Sequence, residues 1–233
     1  MVKKCFVVVP ARYGSKSLPY KNLMEIGNMP LFQWSYDAGK YMGFDTFIST
    51  NDDEIIRICQ ERDMNYIRRP DELCRDESLD KDFLNHFVKY FKITQKDTAI
   101  VNFRPTSPLR SVLDLNKFKR LVMTTNASIR SIEKSSFPVQ KMWFKNSEGE
   151  LENVLNSTVH DEPFNMPRQQ LRSSYKQTGS FDSYLAGDII SGKINGNKIL
   201  PFEQSSPLID IDMQTDLDAA RYLYSKNSQL FEY

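Results

Sequence analysis

The chain begins its apolar pattern with Cys5-Phe-Val-Val-Val9, a nearly continuous run rich in β-branching that suits a strand buried on both faces of a parallel sheet. Pro10 ends the run, residues 11–28 are mostly polar, and Leu31, Trp34, Ala38, Tyr41 and Met42 then recur at helical spacing. The alternation repeats. Thr46–Ser49 reads as a strand, and Ile55, Ile58 and Cys59 mark a helix that Asn51 or Asp52 can cap. Tyr66 and Ile67 form a weaker strand, and Phe83, Leu84, Phe87, Val88 and Phe91 stripe a third helix. Ala99–Phe103 is the next strand, followed by a fourth helix carrying Leu115, Phe118 and Val122. Strands alternating with helices across short links predict an α/β fold built on a mostly parallel, doubly wound sheet.

From 135 to 177 the pattern fades into polar residues, with a hairpin expected around Asn146-Ser-Glu-Gly149 and prolines at 138, 163 and 167. A stretch of this length without regular structure usually serves a function or a partner, so 135–177 is read as an excursion from one domain spanning 1–233. Order returns with strands at Ile199–Phe202 and Leu208–Ile211 and a helix over about Asp216–Ser225, for which Thr215 is the expected N-cap and Asp218 the N3 residue.

Composition narrows the partners. Lys and Arg number 31 against 30 Asp and Glu, so no global field draws the chain to nucleic acid or an anionic membrane, and phosphate recognition must be local. Cys5, Cys59 and Cys74 show neither CxxC nor Cys/His spacing, which argues against a disulfide framework or a structural zinc and points to a reducing cytoplasm. No apolar stretch approaches membrane-spanning length, and no targeting signal is expected.

The first chemical constellation is Ala11-Arg-Tyr-Gly-Ser-Lys-Ser-Leu-Pro-Tyr-Lys-Asn22, leaving the carboxyl end of the first strand, where open α/β sheets place ligands. Arg12, Lys16 and Lys21 can converge on a triphosphate, and Gly14 lets backbone N–H groups approach its oxygens. The spacing is not that of a P-loop, and there is no GxGxxG. The second is Asp210-Ile-Asp212, where strand alternation would set two carboxylates on one face roughly 7 Å apart, suited to holding Mg²⁺ against substrate phosphates. Asp52-Asp-Glu54 is read as helix-dipole stabilisation instead of a metal site, and Asp216 and Asp218 as structural. The third, Arg104-Pro-Thr-Ser-Pro-Leu-Arg110, reaches the same rim; its hydroxyls and arginines can meet a sugar, or it is a proline turn with Ser111 capping a helix.

Together these segments resemble the acylneuraminate cytidylyltransferase family, whose signatures run ARxGSKxxPxKN, LQPTSPLR, PRQQ and IDIDT…D, and which here read Ala11–Asn22, Phe103–Arg110, Pro167–Gln170 and Ile209–Asp218. The resemblance implies a Rossmann-like nucleotidyltransferase core and a homodimer whose middle excursion reaches the partner's active site. It also implies that CTP is joined to an acidic keto sugar of nine, or eight, carbons. By that resemblance Ala11, Arg12, Ser15 and Asn22 would hold CTP, Lys21 its phosphates, and Arg69 the nucleotide pocket. Asp210 and Asp212 would ligate Mg²⁺, and Lys141 and Arg168 would face the sugar, Arg168 pairing with its carboxylate. Arg104, Thr106 and Ser107 would complete the sugar side. His86 reads as structural and His160 has no assigned role.

This chain departs from the family pattern at three places. Arg104 stands where the family has Gln, Thr178-Gly-Ser180 with Phe181 and Asp182 stands for Asn-Gly-Ala and an aromatic, and Asp76–Asp80 replaces a Ser-rich stretch near the base. Two rivals follow: an octulosonate-type cytidylyltransferase, favoured by Ala11-Arg-Tyr-Gly-Ser but not by Lys21-Asn22 and PRQQ, and a catalytically inactive nucleotide-sugar-binding module.

Overall fold

The computed structural model describes residues 4–15, 17–155 and 162–233; Lys16 and His160 lie outside them. Two compact units result: the residues up to Ser131 together with Thr178–Tyr233, and Ile132–Gln177. No helix among the described residues is long and apolar enough to cross a membrane.

In chain order the first unit comprises β1 (Cys5–Pro10), the two-residue strands β2 (Glu25–Ile26) and β3 (Met29–Pro30), α1 (Leu31–Tyr41), β4 (Asp45–Thr50), α2 (Asp53–Glu61) and β5 (Tyr66–Arg68). There follow α3 (Asp80–Tyr90), β6 (Ala99–Asn102), α4 (Val112–Thr124) and β7 (Ser128–Lys134), which runs on into the second unit. The second unit adds β8 (Trp143–Lys145), β9 (Leu151–Asn153) and β10 (Tyr175–Gln177). The first unit resumes with β11 (Asp182–Leu185), α5 (Ala186–Ile190), β12 (Ile199–Glu203) and α6 (Gln214–Asn227).

Its sheet runs β7-β11-β6-β1-β4-β5, with β12 also on β7. The centre is parallel, β6 to β1 to β4 to β5, and β11 lies antiparallel to β6 and β7. The unbroken apolar run of β1 is explained by what lies on each side. Cys5, Val7 and Val9 enter a core shared with α1, α2 and α4, while Phe6 and Val8 enter a second core built by α3 and α5. Val7, Val8 and Val9 have no exposed surface, and each such burial contributes about 1.5–3 kcal/mol. Asp52 caps α2, accepting the N–H of Glu54 at 2.9 Å and of Ile55 at 3.4 Å. A third cluster, including Leu31, Trp34, Ile211, Leu217 and Ala220, seats α6 against α1.

Two expectations need correction. Leu208–Ile211 is not a strand: it joins no ladder, and Ile211 makes one backbone bond, to Thr106 O at 2.7 Å. Ile209 and Ile211 pack into the third cluster from irregular backbone. The last helix starts at Gln214, and its N3 acid is Asp216, which accepts the N–H of Asp212 and Met213 at 2.9 Å each; Asp218 instead accepts from Gln214 Nε2.

In the second unit, Ile132–Lys134 pairs antiparallel with Tyr175–Gln177, and β8 and β9 form the hairpin. Asn146 Oδ1 closes its turn by accepting from Glu148 N and Glu150 N. Phe137, Phe144 and Leu151 are each more than 60% exposed, an unusual display for a unit this small.

Candidate active site

From β1 the chain passes to β4 and β5 on one side and returns to β6 on the other, so the carboxyl ends of β1 and β6 part at a topological switch point. Pro10-Ala11-Arg12 leaves β1 there and Phe103–Thr106 leaves β6, while Arg69 follows β5 at the same rim. A cavity of about 260 Å³ opens between these segments. Arg12, Ser15, Lys21 and Asn22 line it on behalf of the first loop. Arg69, Asp80, Arg104 and Thr106 also line it. Among the described residues four cations face one carboxylate, a balance that suits an anionic ligand.

The loop after β1 is held by its own backbone and by Asn22. Ala11 is fully buried and donates its N–H to Ser49 O at 2.9 Å, and Asn22 Nδ2 donates to Arg12 O at 3.0 Å. Gly14 has φ +81°, and nothing among the described residues lies within 4 Å of where its Cβ would be, which leaves its backbone open to approach. Arg12 donates to Cys74 O at 3.0 Å and to Asp76 Oδ1 at 2.8 Å. Lys21 is buried on a short 3₁₀ turn, Lys21–Leu23, and its Nζ donates to Ile211 O and Asp212 Oδ1, both at 2.9 Å. The cationic loop near the amino end and the acidic pair near the carboxyl end therefore meet.

Asp210 and Asp212 flank Ile211, which is fully buried, and both are exposed. Asp210 Oδ1 accepts from Ser107 Oγ at 3.4 Å, and Asp216 fixes the backbone N–H of Asp212. Among the described residues no group of three or more His, Cys, Asp or Glu can hold a metal ion. A pair of carboxylates nonetheless fits Mg²⁺, which takes one or two protein carboxylates and completes its shell with phosphate oxygens and water.

The segment after β6 is clamped from beneath. Ser107 N returns to Arg104 O at 3.2 Å. Arg110, wholly buried, donates to Ser180 O at 2.8 Å, Ser35 Oγ at 3.0 Å and Arg104 O at 3.1 Å, with its guanidinium 4.3 Å from the Phe103 ring centre. Burial pulls its pKa down to about 9, against the smaller opposing pull of Tyr233, Asp182 and Asp210. Arg69 is likewise held below its ordinary value, chiefly by burial, while donating to Ser49 at 3.0 and 2.8 Å. Arg104 is held above its ordinary value: burial opposes its charge, but Asp80 and Asp182 outweigh it.

Lys141 and Arg168 belong to the second unit. There Lys141 Nζ donates to Phe164 O at 2.8 Å, and Arg168 donates to Ser136 O at 3.3 Å with its guanidinium over Phe137.

The pairing of several site residues was not legible in the sequence, although Asp76–Asp80 and Asp182 stood out there as departures from the pattern. Asp76, Asp80, Asp182 and Arg130 hold the cavity arginines or one another, and Asp216 sets the backbone of Asp212. The available signal was Arg104 itself, since a part-buried Arg in place of an amide requires new counter-charges.

Residues 6–183 match a family model described as cytidylyltransferase. The chain belongs to the cytidylyltransferase family. This family member is 24% identical to the pseudaminic acid cytidylyltransferase of Campylobacter jejuni over 97% of its own length and 98% of that protein's. It is 33% identical to the N-acylneuraminate cytidylyltransferase of Streptococcus agalactiae over 111 residues, 46% of this chain and only 26% of that relative. Among solved structures, a CMP:2-keto-3-deoxy-manno-octonic acid synthetase complexed with CTP superposes with a TM-score of 0.67 and 18% identity, covering 96% of this cytidylyltransferase-family chain and 99% of that one. That likeness extends the family assignment to the Rossmann-like nucleotidyltransferase fold.

Proposed function

We propose that the protein transfers CMP from CTP to the anomeric hydroxyl of an acidic keto sugar, a nonulosonic acid of the sialic or pseudaminic type, releasing pyrophosphate. The observation that carries this reading is the meeting of Lys21 and Asp212 beside a cavity walled by four cations. The full-length match to a pseudaminic acid cytidylyltransferase supports a nine-carbon acceptor.

The reaction needs no protein nucleophile. The sugar hydroxyl displaces pyrophosphate from the α-phosphorus in line, and the chain supplies positioning and charge neutralisation. Arg12 exchanges Asp76 for a phosphate oxygen, Lys21 donates to the triphosphate, and the open backbone at Gly14 and Ser15 approaches its oxygens. Asn22 holds Arg12 O and so fixes the loop's path. Arg69 walls the nucleotide side, and Arg104 and Thr106 the sugar side, with the buried Ser107 holding Asp210 behind them. Asp210 and Asp212 would hold Mg²⁺, which when bound neutralises phosphate charge and lowers the pKa of the attacking hydroxyl.

In this reading the active form is a homodimer in the cytoplasm, with Lys141 and Arg168 of one copy facing the sugar bound by the other. The exposed Phe137, Phe144 and Leu151 of their unit support an interface there. Pyrophosphate release from CTP, measured with N-acetylneuraminate, pseudaminate and 3-deoxy-manno-octulosonate, tests the reading. Turnover of a nine-carbon acid supports it; preference for the eight-carbon acid moves the chain to the octulosonate type, and binding of CTP without turnover leaves an inactive module.

A further inference from the structure

Three stretches in which this chain departs from the family pattern are far apart in sequence and bonded to one another in space. Arg104 Nη1 donates to Gly179 O at 2.9 Å and to Asp182 Oδ2 at 3.0 Å, and its Nη2 donates to Asp80 Oδ2. Asp182 has no exposed surface and also accepts from Arg130 Nη1 at 2.8 Å and Ser131 N at 3.1 Å, so it is a fixed anchor. Gly179 is part of the fit: its φ is +71°, and a Cβ there would stand 2.5 Å from Arg104 Nη1. The two arginines and two aspartates balance in charge, which is what allows a guanidinium to stand where the pattern has an amide.

Arg104 and Asp80 both line the cavity, with side chains 23% and 34% exposed, so the pair can be reached by a ligand; Asp80 comes from the stretch expected near the base, and its bond to Arg104 draws it to the sugar side. Arg104 uses three of its five N–H groups on protein acceptors; the other two have none among the described residues. Asp80 keeps lone pairs beyond the one that Arg104 occupies. The cavity is thus offered a group that only donates beside a group that only accepts, held in orientation from behind. An amide can turn over and exchange those roles; this pair cannot. A ligand group that meets both must accept from Arg104 and donate to Asp80, as a hydroxyl does with one oxygen and an acylamino group does with its C=O and N–H. A bare methylene there would leave desolvated N–H groups unpaired.

We propose that Arg104 and Asp80 determine acceptor specificity, reading one hydroxyl or acylamino substituent of the acidic sugar and rejecting acceptors that lack it. The inference rests on the cytidylyltransferase reading above. The test takes the best acceptor among the three acids already named and its analogues in which one hydroxyl, or the acylamino group, is replaced by hydrogen. With CTP saturating, kcat/KM is measured for the wild type, Arg104→Gln and Asp80→Asn. One analogue is expected to be disfavoured by the wild type about tenfold or more, and both variants to erase most of that discrimination while KM for CTP stays within about twofold. The analogue concerned tells a hydroxyl from an acylamino group. Equal losses on every acceptor, or a change confined to KM for CTP, would overturn the proposal. If Arg104→Gln fails to fold, Asp80→Asn carries the test, since it leaves the buried Arg104–Asp182 pair in place. A wild-type protein inactive on all three acids would instead overturn the parent reading, and this one with it.

Discussion

Replacing Lys21 with Met keeps the apolar stem and removes the ammonium, and the structure separates its effects on stability and turnover. Two donors are lost, to Ile211 O and Asp212 Oδ1, each at 2.9 Å. Ile211 is fully buried, so its orphaned carbonyl costs about 1–3 kcal/mol. The Asp212 side chain is 67% exposed, so solvent screens that pair and its loss adds no more than about 0.5 kcal/mol. The sum is a fraction of the roughly 5–15 kcal/mol that holds a domain together, and the variant stays folded. Turnover is a different matter. A preorganised donor on developing phosphate charge is worth about 10²–10³ in rate, and kcat/KM for CTP should fall by that factor. Pyrophosphate release under steady state, with a circular dichroism melt alongside, measures both. Because Lys21 and Asp212 act at one point, the effect of Lys21→Met should shrink in an Asp212→Asn background. A folded Lys21→Met protein within about threefold of wild-type kcat/KM would refute the reasoning.

Arg110→Met should cost about 2 kcal/mol: Ser180 O loses its donor and the Phe103 contact goes, whereas Arg104 O keeps Ser35 Oγ and Ser107 N. A urea midpoint equal to or above that of the wild type would contradict this. Asp114 sits below its usual 3.8: burial opposes this, but hydrogen bonds from Ser206, Ser205 and Ser111 prevail. Its depressed folded value means that its contribution is complete above the unfolded value and fades as pH falls through the folded one. Wild-type stability should therefore drop more steeply below about pH 4 than that of Asp114→Asn, as acid-unfolding curves of the two would show. If the second unit serves the partner's site, Lys21→Met and Arg168→Ala, each inactive alone, should regain up to about a quarter of wild-type activity when subunits are exchanged, one site in two of each mixed dimer being intact. Additive residual activities would speak against shared sites.

How far the sequence revealed this molecule depended on whether burial was apolar. β1 and the stripes of α1, α3 and α4 were legible because one side of each is hydrophobic and periodic. β7 and β11 were not, since the positions they bury include Ser128, Ser131, Asp182 and Ser183, which look like surface. Those residues are inside because they answer one another: Asp182 accepts from the N–H and hydroxyl of Ser131. Leu208–Ile211 misled in the opposite direction, for Ile209 and Ile211 pack without a ladder. The placement of the first loop at the sheet rim followed from topology. The Arg104–Asp80–Asp182 unit did not, because it joins segments whose proximity only the completed fold creates.

The bond between Lys21 and Asp212 spans 191 residues of chain. A contact of that separation is among the last that folding can form, and during synthesis it waits until Ile211 and Asp212 have left the ribosome. A product cut short before Ile211 would keep β1 and its cationic loop, yet its Lys21 would lack both acceptors. On the proposed reading, the first loop becomes a complete catalytic element only once residues 211 and 212 have been made.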